Sequence, residues 1–65
     1  MILDREKLQR AMELNFYSGY TLAKAAGVAR GTIQNALDGH ELRPGTLKKI
    51  CEALNTTPDK LEKRV

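Results

Sequence analysis

The sequence predicts an all-α domain of five short helices. Apolar residues recur at i, i+3, i+4 in Leu8, Ala11 and Met12 and again in Leu47, Ile50, Cys51 and Leu54, the spacing of a helix with one buried face. Residues that cap or break helices punctuate the chain at short intervals. The β-branched residues are scattered and never alternate with polar ones, so nothing reads as a strand.

Asp4 can cap a first helix that runs to about Tyr17, where Ser18-Gly19 breaks it. A second helix runs from about Gly19 to Ala26 with Ser18 as N-cap, and Tyr17 and Leu22 have the spacing of a hydrophobic staple across that cap. Gly27 stops it, since glycine accepts the left-handed backbone a helix stop requires. The third helix spans about Ala29 to Leu37 and ends at Asp38-Gly39. Pro44 sets the first turn of the fourth, whose end suits Asn55. Thr57-Pro58-Asp59 opens a short fifth helix with a hydroxyl cap, a proline in the first turn and an acid at the positive end of the dipole. Phe16 and Tyr17 read as core, and Cys51, on the apolar stripe of the fourth helix, reads as a small core residue.

At 65 residues the chain is one small domain, and a domain of this size buries only about 60% of the surface its unfolded form exposes. One Cys and one His exclude an internal disulfide and a structural zinc site. The 42% hydrophobic and 29% charged composition is that of a globular domain. No apolar run approaches a membrane span and no leader is evident, so a soluble cytoplasmic protein is expected. No carboxylate pair, Ser/His/Asp set, Cys/His set or phosphate-cradling glycine loop is present, so neither an enzyme nor a bound cofactor is expected.

The net charge of +3 is unevenly placed. Between residues 20 and 50 five basic side chains stand against two acidic ones, whereas the flanks balance at six of each. A surplus confined to the middle of the chain suits a polyanion-facing surface, although a charge of this size also serves ordinary solubility.

The segment from Gly19 to Asp38 has the spacing of a helix-turn-helix. Ala23 is small where two steeply crossing helices come closest, Gly27 makes the turn, and Leu22, Ala26, Val28, Ile33 and Ala36 face the rest of the domain. With TLAKAAGVARGTIQNALDG at 21–39 and TLKKICEALNTTPDKL at 46–61, the sequence resembles the Xre/Cro-type (lambda repressor-like) helix-turn-helix proteins over Leu8 to about Leu61. That resemblance implies a single DNA-binding domain over residues 1–65, with the helix-turn-helix at 19–38. It departs from the family pattern at Gly19, where Gln is common, at Ala29, where Ser or Thr is favoured, and at Gly31, where a polar side chain usually projects.

With Val28, Ile33 and Ala36 inward, Arg30, Gly31, Thr32, Gln34 and Asn35 are left outside, at positions that enter the major groove in the resembling family. Arg30 can fork onto guanine, Gln34 or Asn35 can pair with adenine, and Thr32 can meet a thymine methyl or a phosphate. Gly31 removes bulk where helix and groove meet. Phosphate contacts are expected from Gly19, Tyr20 and Thr21 at the start of the second helix. Others are expected from His40, Arg43, Gly45, Thr46 and Lys48 around the start of the fourth. Lys24 could equally reach the DNA backbone or remain solvated.

The implied function is a small sequence-specific DNA-binding regulator that represses by occupying an operator. Its partner would be double-stranded DNA, with no small-molecule effector evident. Met1, Ile2 and Leu3, or the segment around Leu61 and Val65, are candidates for a weak homodimer contact. The competing reading is a helical protein-interaction module, antitoxin-like or anti-regulator, that kept the fold and lost DNA; Gly19, Ala29 and Gly31 favour it.

Overall fold

A computed structural model describes residues 1–63 and contains five helices: α1 (Arg5–Leu14), α2 (Gly19–Ala26), α3 (Arg30–Leu37), α4 (Pro44–Ala53) and α5 (Pro58–Leu61). Helix α2 packs on α3 and α4, while α1 packs on α3 and α5. Their apolar stripes meet in one core, in which Leu3, Leu8, Leu22, Ile33 and Ile50 are fully enclosed. Each such side chain contributes about 1.5–3 kcal/mol relative to exposure.

The starts of the helices follow the local chemistry. Asp4 Oδ1 accepts the N–H groups of Glu6 at 2.9 Å and Lys7 at 3.2 Å, capping α1. At α2, Ser18 Oγ accepts the Thr21 N–H at 3.2 Å and Thr21 Oγ1 accepts the Ser18 N–H at 2.7 Å, a reciprocal capping box. Helix α3 begins one residue later than expected, because Ala29 is its extended N-cap and offers no side-chain bond. The expected hydroxyl cap of α5 does not form. The donor it would take, the Lys60 N–H, bonds the backbone carbonyl of Thr57 at 3.1 Å instead.

The ends of α1 to α4 share one construction. In each, a residue with left-handed backbone follows the helix, at Phe16 (φ 58°), Gly27 (74°), Gly39 (82°) and Asn55 (53°). The next N–H then reaches back five residues: Tyr17 to Met12 at 2.8 Å, Val28 to Ala23, His40 to Asn35 and Thr56 to Cys51 each at 3.0 Å. This is the Schellman closure, which satisfies carbonyls the helix leaves unpaired. It stops α1 at Leu14 rather than near Tyr17 and turns Phe16 out of the fold. Phe16 is 93% exposed, against the expectation of core, while Tyr17 is half-buried against the core as expected.

Residues 1–4 run extended between two other parts of the chain. Met1 O accepts from Leu42 N at 2.9 Å, Ile2 O from Lys63 N at 2.9 Å, and Asp4 N donates to Leu61 O at 2.8 Å. Leu3 and Glu62 form an isolated antiparallel bridge, the nearest approach to sheet among the described residues. Leu3 and Leu61 are consequently buried, at 1% and 2% exposure, and are withdrawn from the surface on which a dimer contact was expected. Met1 and Ile2 remain exposed, and Val65 lies outside the described residues.

Candidate nucleic-acid interface

The outer face of α3 is set by its inner one. Ile33 and Ala36 are buried and Val28 is half-buried, so Arg30, Gly31, Gln34 and Asn35 are exposed and Thr32 is half-exposed at the margin. Gly31 is an ordinary helical residue: a Cβ there would meet nothing within 4 Å, so neither backbone nor packing requires glycine. It leaves a bare spot flanked by long polar side chains.

The second helix begins beside this face. A Cβ on Gly19 would lie 4.0 Å from Ile33 Cγ2, and Gly19, Arg30, Gly31 and Gln34 border one open hollow floored by Ile33 and Leu37. The Gly19 and Tyr20 N–H groups precede the first backbone bond of α2, from Leu22 N to Ser18 O at 2.9 Å, and so point out of the helix end. The Thr21 hydroxyl belongs to the capping box, where it also donates to Ser18 O at 3.3 Å. Tyr20 is exposed, and Lys24 Nζ stands 5.7 Å from its ring centroid, within cation–π range.

Across the turn after α3, His40, Arg43, Gly45 and Lys48 are exposed and Thr46 is half-buried. Arg43 is the N-cap of α4 without a side-chain bond. Pro44 has no N–H, and the Gly45 and Thr46 N–H groups lie ahead of the first helical bond, from Leu47 N to Arg43 O at 2.9 Å. The α2 and α4 starts thus each present two outward amides, α4 with cationic side chains beside them.

Two residues of this region were not singled out from sequence. Asp38 Oδ1 accepts from Gln34 Nε2 at 3.0 Å and from Arg5 Nη1 at 3.5 Å, while Arg5 also reaches Leu37 O at 3.5 Å. The Gln34–Asp38 pair was legible as an i, i+4 pair on one helix face. Arg5, 33 positions from its partner, carried no local signal.

Cys51 is buried in the core, where burial first and the charge of Asp59 second push its thiol above the usual range. Among the described residues no group of three His, Cys, Asp or Glu could hold a metal ion, and no helix is long and apolar enough to cross a membrane.

A family model of the Cro/C1-type helix-turn-helix DNA-binding domain matches residues 7–65. The chain belongs to that family. Membership accounts for the paired helices α2 and α3 and for the helical enclosure that holds α3 with one face outward. No curated protein matches the chain. Among solved structures, native PhpD with cadmium atoms is 25% identical, with a TM-score of 0.83 over 100% of this chain. A hydroxyethylphosphonate dioxygenase variant is likewise 25% identical, with a TM-score of 0.84 over 100% of this chain. Another 2-hydroxyethylphosphonate dioxygenase variant is 23% identical over 97% of this chain, with a TM-score of 0.82. The chain spans only 14% of the first two of these proteins and 15% of the third. The Cro/C1-type fold therefore also occurs as a small part of much larger proteins.

Proposed function

We propose that this Cro/C1-type domain binds duplex DNA sequence-specifically, as a regulator that represses by occupying an operator with α3 in the major groove. The observation that supports this best is the exposed row of Arg30, Gln34 and Asn35 around the bare Gly31, on the outward face of a helix-turn-helix. Arg30 would read guanine, and Gln34 or Asn35 adenine. The amides of Gly19 and Tyr20, and those of Gly45 and Thr46 with Arg43, Lys48 and His40, would hold phosphates on either side. Two such domains on half-sites about 34 Å apart would supply the affinity one small interface lacks. Sedimentation showing only monomer, with and without DNA, would count against that pairing.

Fluorescence anisotropy on a random-sequence duplex, at low and high salt, tests the reading at its coarsest. Affinity should fall steeply as salt rises, because cationic contacts to phosphate displace condensed counterions. Once a preferred site has been selected, Arg30→Ala should relax preference at one base pair at a cost of about 1–3 kcal/mol, whereas Arg43→Ala should weaken all sequences alike. Sequence-blind losses from both would reject the assigned roles.

A second reading is favoured by the two dioxygenase variants, in which this fold is a minor part of a long chain. On that reading the domain is a protein-interaction module, and it should bind no duplex even at low salt.

A further inference from the structure

The amide of a free glutamine turns readily between its two orientations, because the torsion that carries it is broad and roughly two-fold. Gln34 is not free in this way. Its Nε2 donates to Asp38 Oδ1 at 3.0 Å, and the same oxygen accepts from Arg5 Nη1 at 3.5 Å. Arg5 belongs to α1 and also reaches the Leu37 carbonyl at 3.5 Å, so the carboxylate is held from outside α3 as well as from within it. The side chains of Arg5 and Asp38 are 57% and 42% exposed, so this chain of contacts lies at the surface beside the outward face of α3.

We propose that Asp38 is a positioning residue for DNA recognition, one that fixes the Gln34 amide so that it selects adenine over guanine. The proposal rests on the reading of α3 as the groove helix. A glutamine amide has two N–H bonds and one carbonyl oxygen. With one N–H given to Asp38, what remains is one donor beside one acceptor. Adenine presents the matching edge in the major groove, an N7 acceptor beside an N6 donor, whereas guanine presents two acceptors, O6 and N7. An unanchored glutamine could turn both N–H groups toward guanine; the anchored one has a single N–H left. Arg5 completes the device by offsetting the negative charge that Asp38 would otherwise bring close to the phosphates.

The test is selection from a random duplex library, followed by binding to the selected site with adenine or guanine at each position in turn. It is run on the unaltered chain, Asp38→Ala, Gln34→Ala and the double variant. Asp38 is exposed, and its truncation opens no buried contact. The unaltered chain should prefer adenine at one position by about tenfold, within the range for a bidentate base contact. Asp38→Ala should reduce that preference to about twofold, and Gln34→Ala should abolish it. In the Gln34→Ala background, removing Asp38 should change nothing further at that position. A purely structural role for Asp38 would instead lower affinity for both bases alike and leave their ratio intact. An unchanged adenine-to-guanine ratio in Asp38→Ala, or a change that persists without Gln34, would overturn the proposal while leaving DNA recognition standing. Failure of the unaltered chain to select any sequence would overturn both.

Discussion

Asn15 Nδ2 donates to the Leu54 carbonyl at 3.3 Å, joining two residues 39 positions apart in the chain. The same nitrogen donates to Ala11 O at 2.8 Å. Asn15 caps the end of α1 and Leu54 that of α4, so one amide ties a carbonyl of α1 to the carbonyl that closes α4. Asn15→Ala should cost about 1 kcal/mol in urea denaturation, the net worth of a typical intramolecular hydrogen bond. Asn15→Asp should cost more at neutral pH, because a carboxylate would face two carbonyl oxygens. An aspartate variant as stable as the alanine one would show that the side chain of residue 15 does not face these two carbonyls in solution.

The four Schellman closures make Phe16 anomalous. Gly27, Gly39 and Asn55 are residue types that accept left-handed backbone, whereas Phe16 adopts φ 58° and is 93% exposed. That backbone costs an ordinary side chain about 1–2 kcal/mol, and little apolar burial offsets it here. Phe16→Gly should therefore raise the unfolding free energy measured in urea, by about 0.5–1 kcal/mol once the added freedom of the unfolded chain is deducted. Gly39→Ala should lower it by about 1 kcal/mol, even though its Cβ would meet nothing within 4 Å.

Helix α3 is intrinsically weak at its start, with Ala29 as a bare cap and Gly31 in the first turn. Ala29→Ser should add about 1 kcal/mol through a side-chain bond to an early N–H. Gly31→Ala should add about 0.5–1 kcal/mol, since the methyl group meets open space and the unfolded chain loses freedom. If Gly31 is present for close approach to the groove, a larger side chain there should weaken DNA binding even as the protein becomes more stable. Thermal melts and anisotropy on the same Gly31→Leu sample measure the two effects side by side.

Cys51 gives a pH dependence of definite sign. Burial holds its thiol above the usual range, so unfolding exposes a group that loses its proton more readily. The stability due to this group is fully present below the unfolded thiol pKa and is lost as pH rises through the higher folded value. Cys51→Ala lacks that dependence. The stability gap between the two proteins should narrow in alkaline buffer, and denaturant titrations at neutral and alkaline pH measure it. Labelling of the native thiol by a disulfide reagent should likewise be slow until the protein opens.

Helix positions were legible because the punctuation is local: Asp4, Ser18, Gly27, Gly39 and Pro44 act within a turn of where they stand. Phe16 was misread because apolar character argues for burial, and composition gives no sign that an aromatic residue will take a left-handed stop. Leu3 and Leu61 were misread as surface because their burial depends on pairing between the two ends of the chain. The outward set on α3 followed from the inward one, Ile33 and Ala36. The Asp38 anchor was overlooked because aspartate before glycine reads first as a helix stop, and its second partner, Arg5, lies on a different helix.

The clasp that covers Leu3 joins residues 1–3 to residues 42 and 62–63. A growing polypeptide that has already produced α1 to α4 still lacks half of that clasp. The helix-turn-helix can begin to assemble on the ribosome, but its hydrophobic interior is sealed only after translation has passed residue 63.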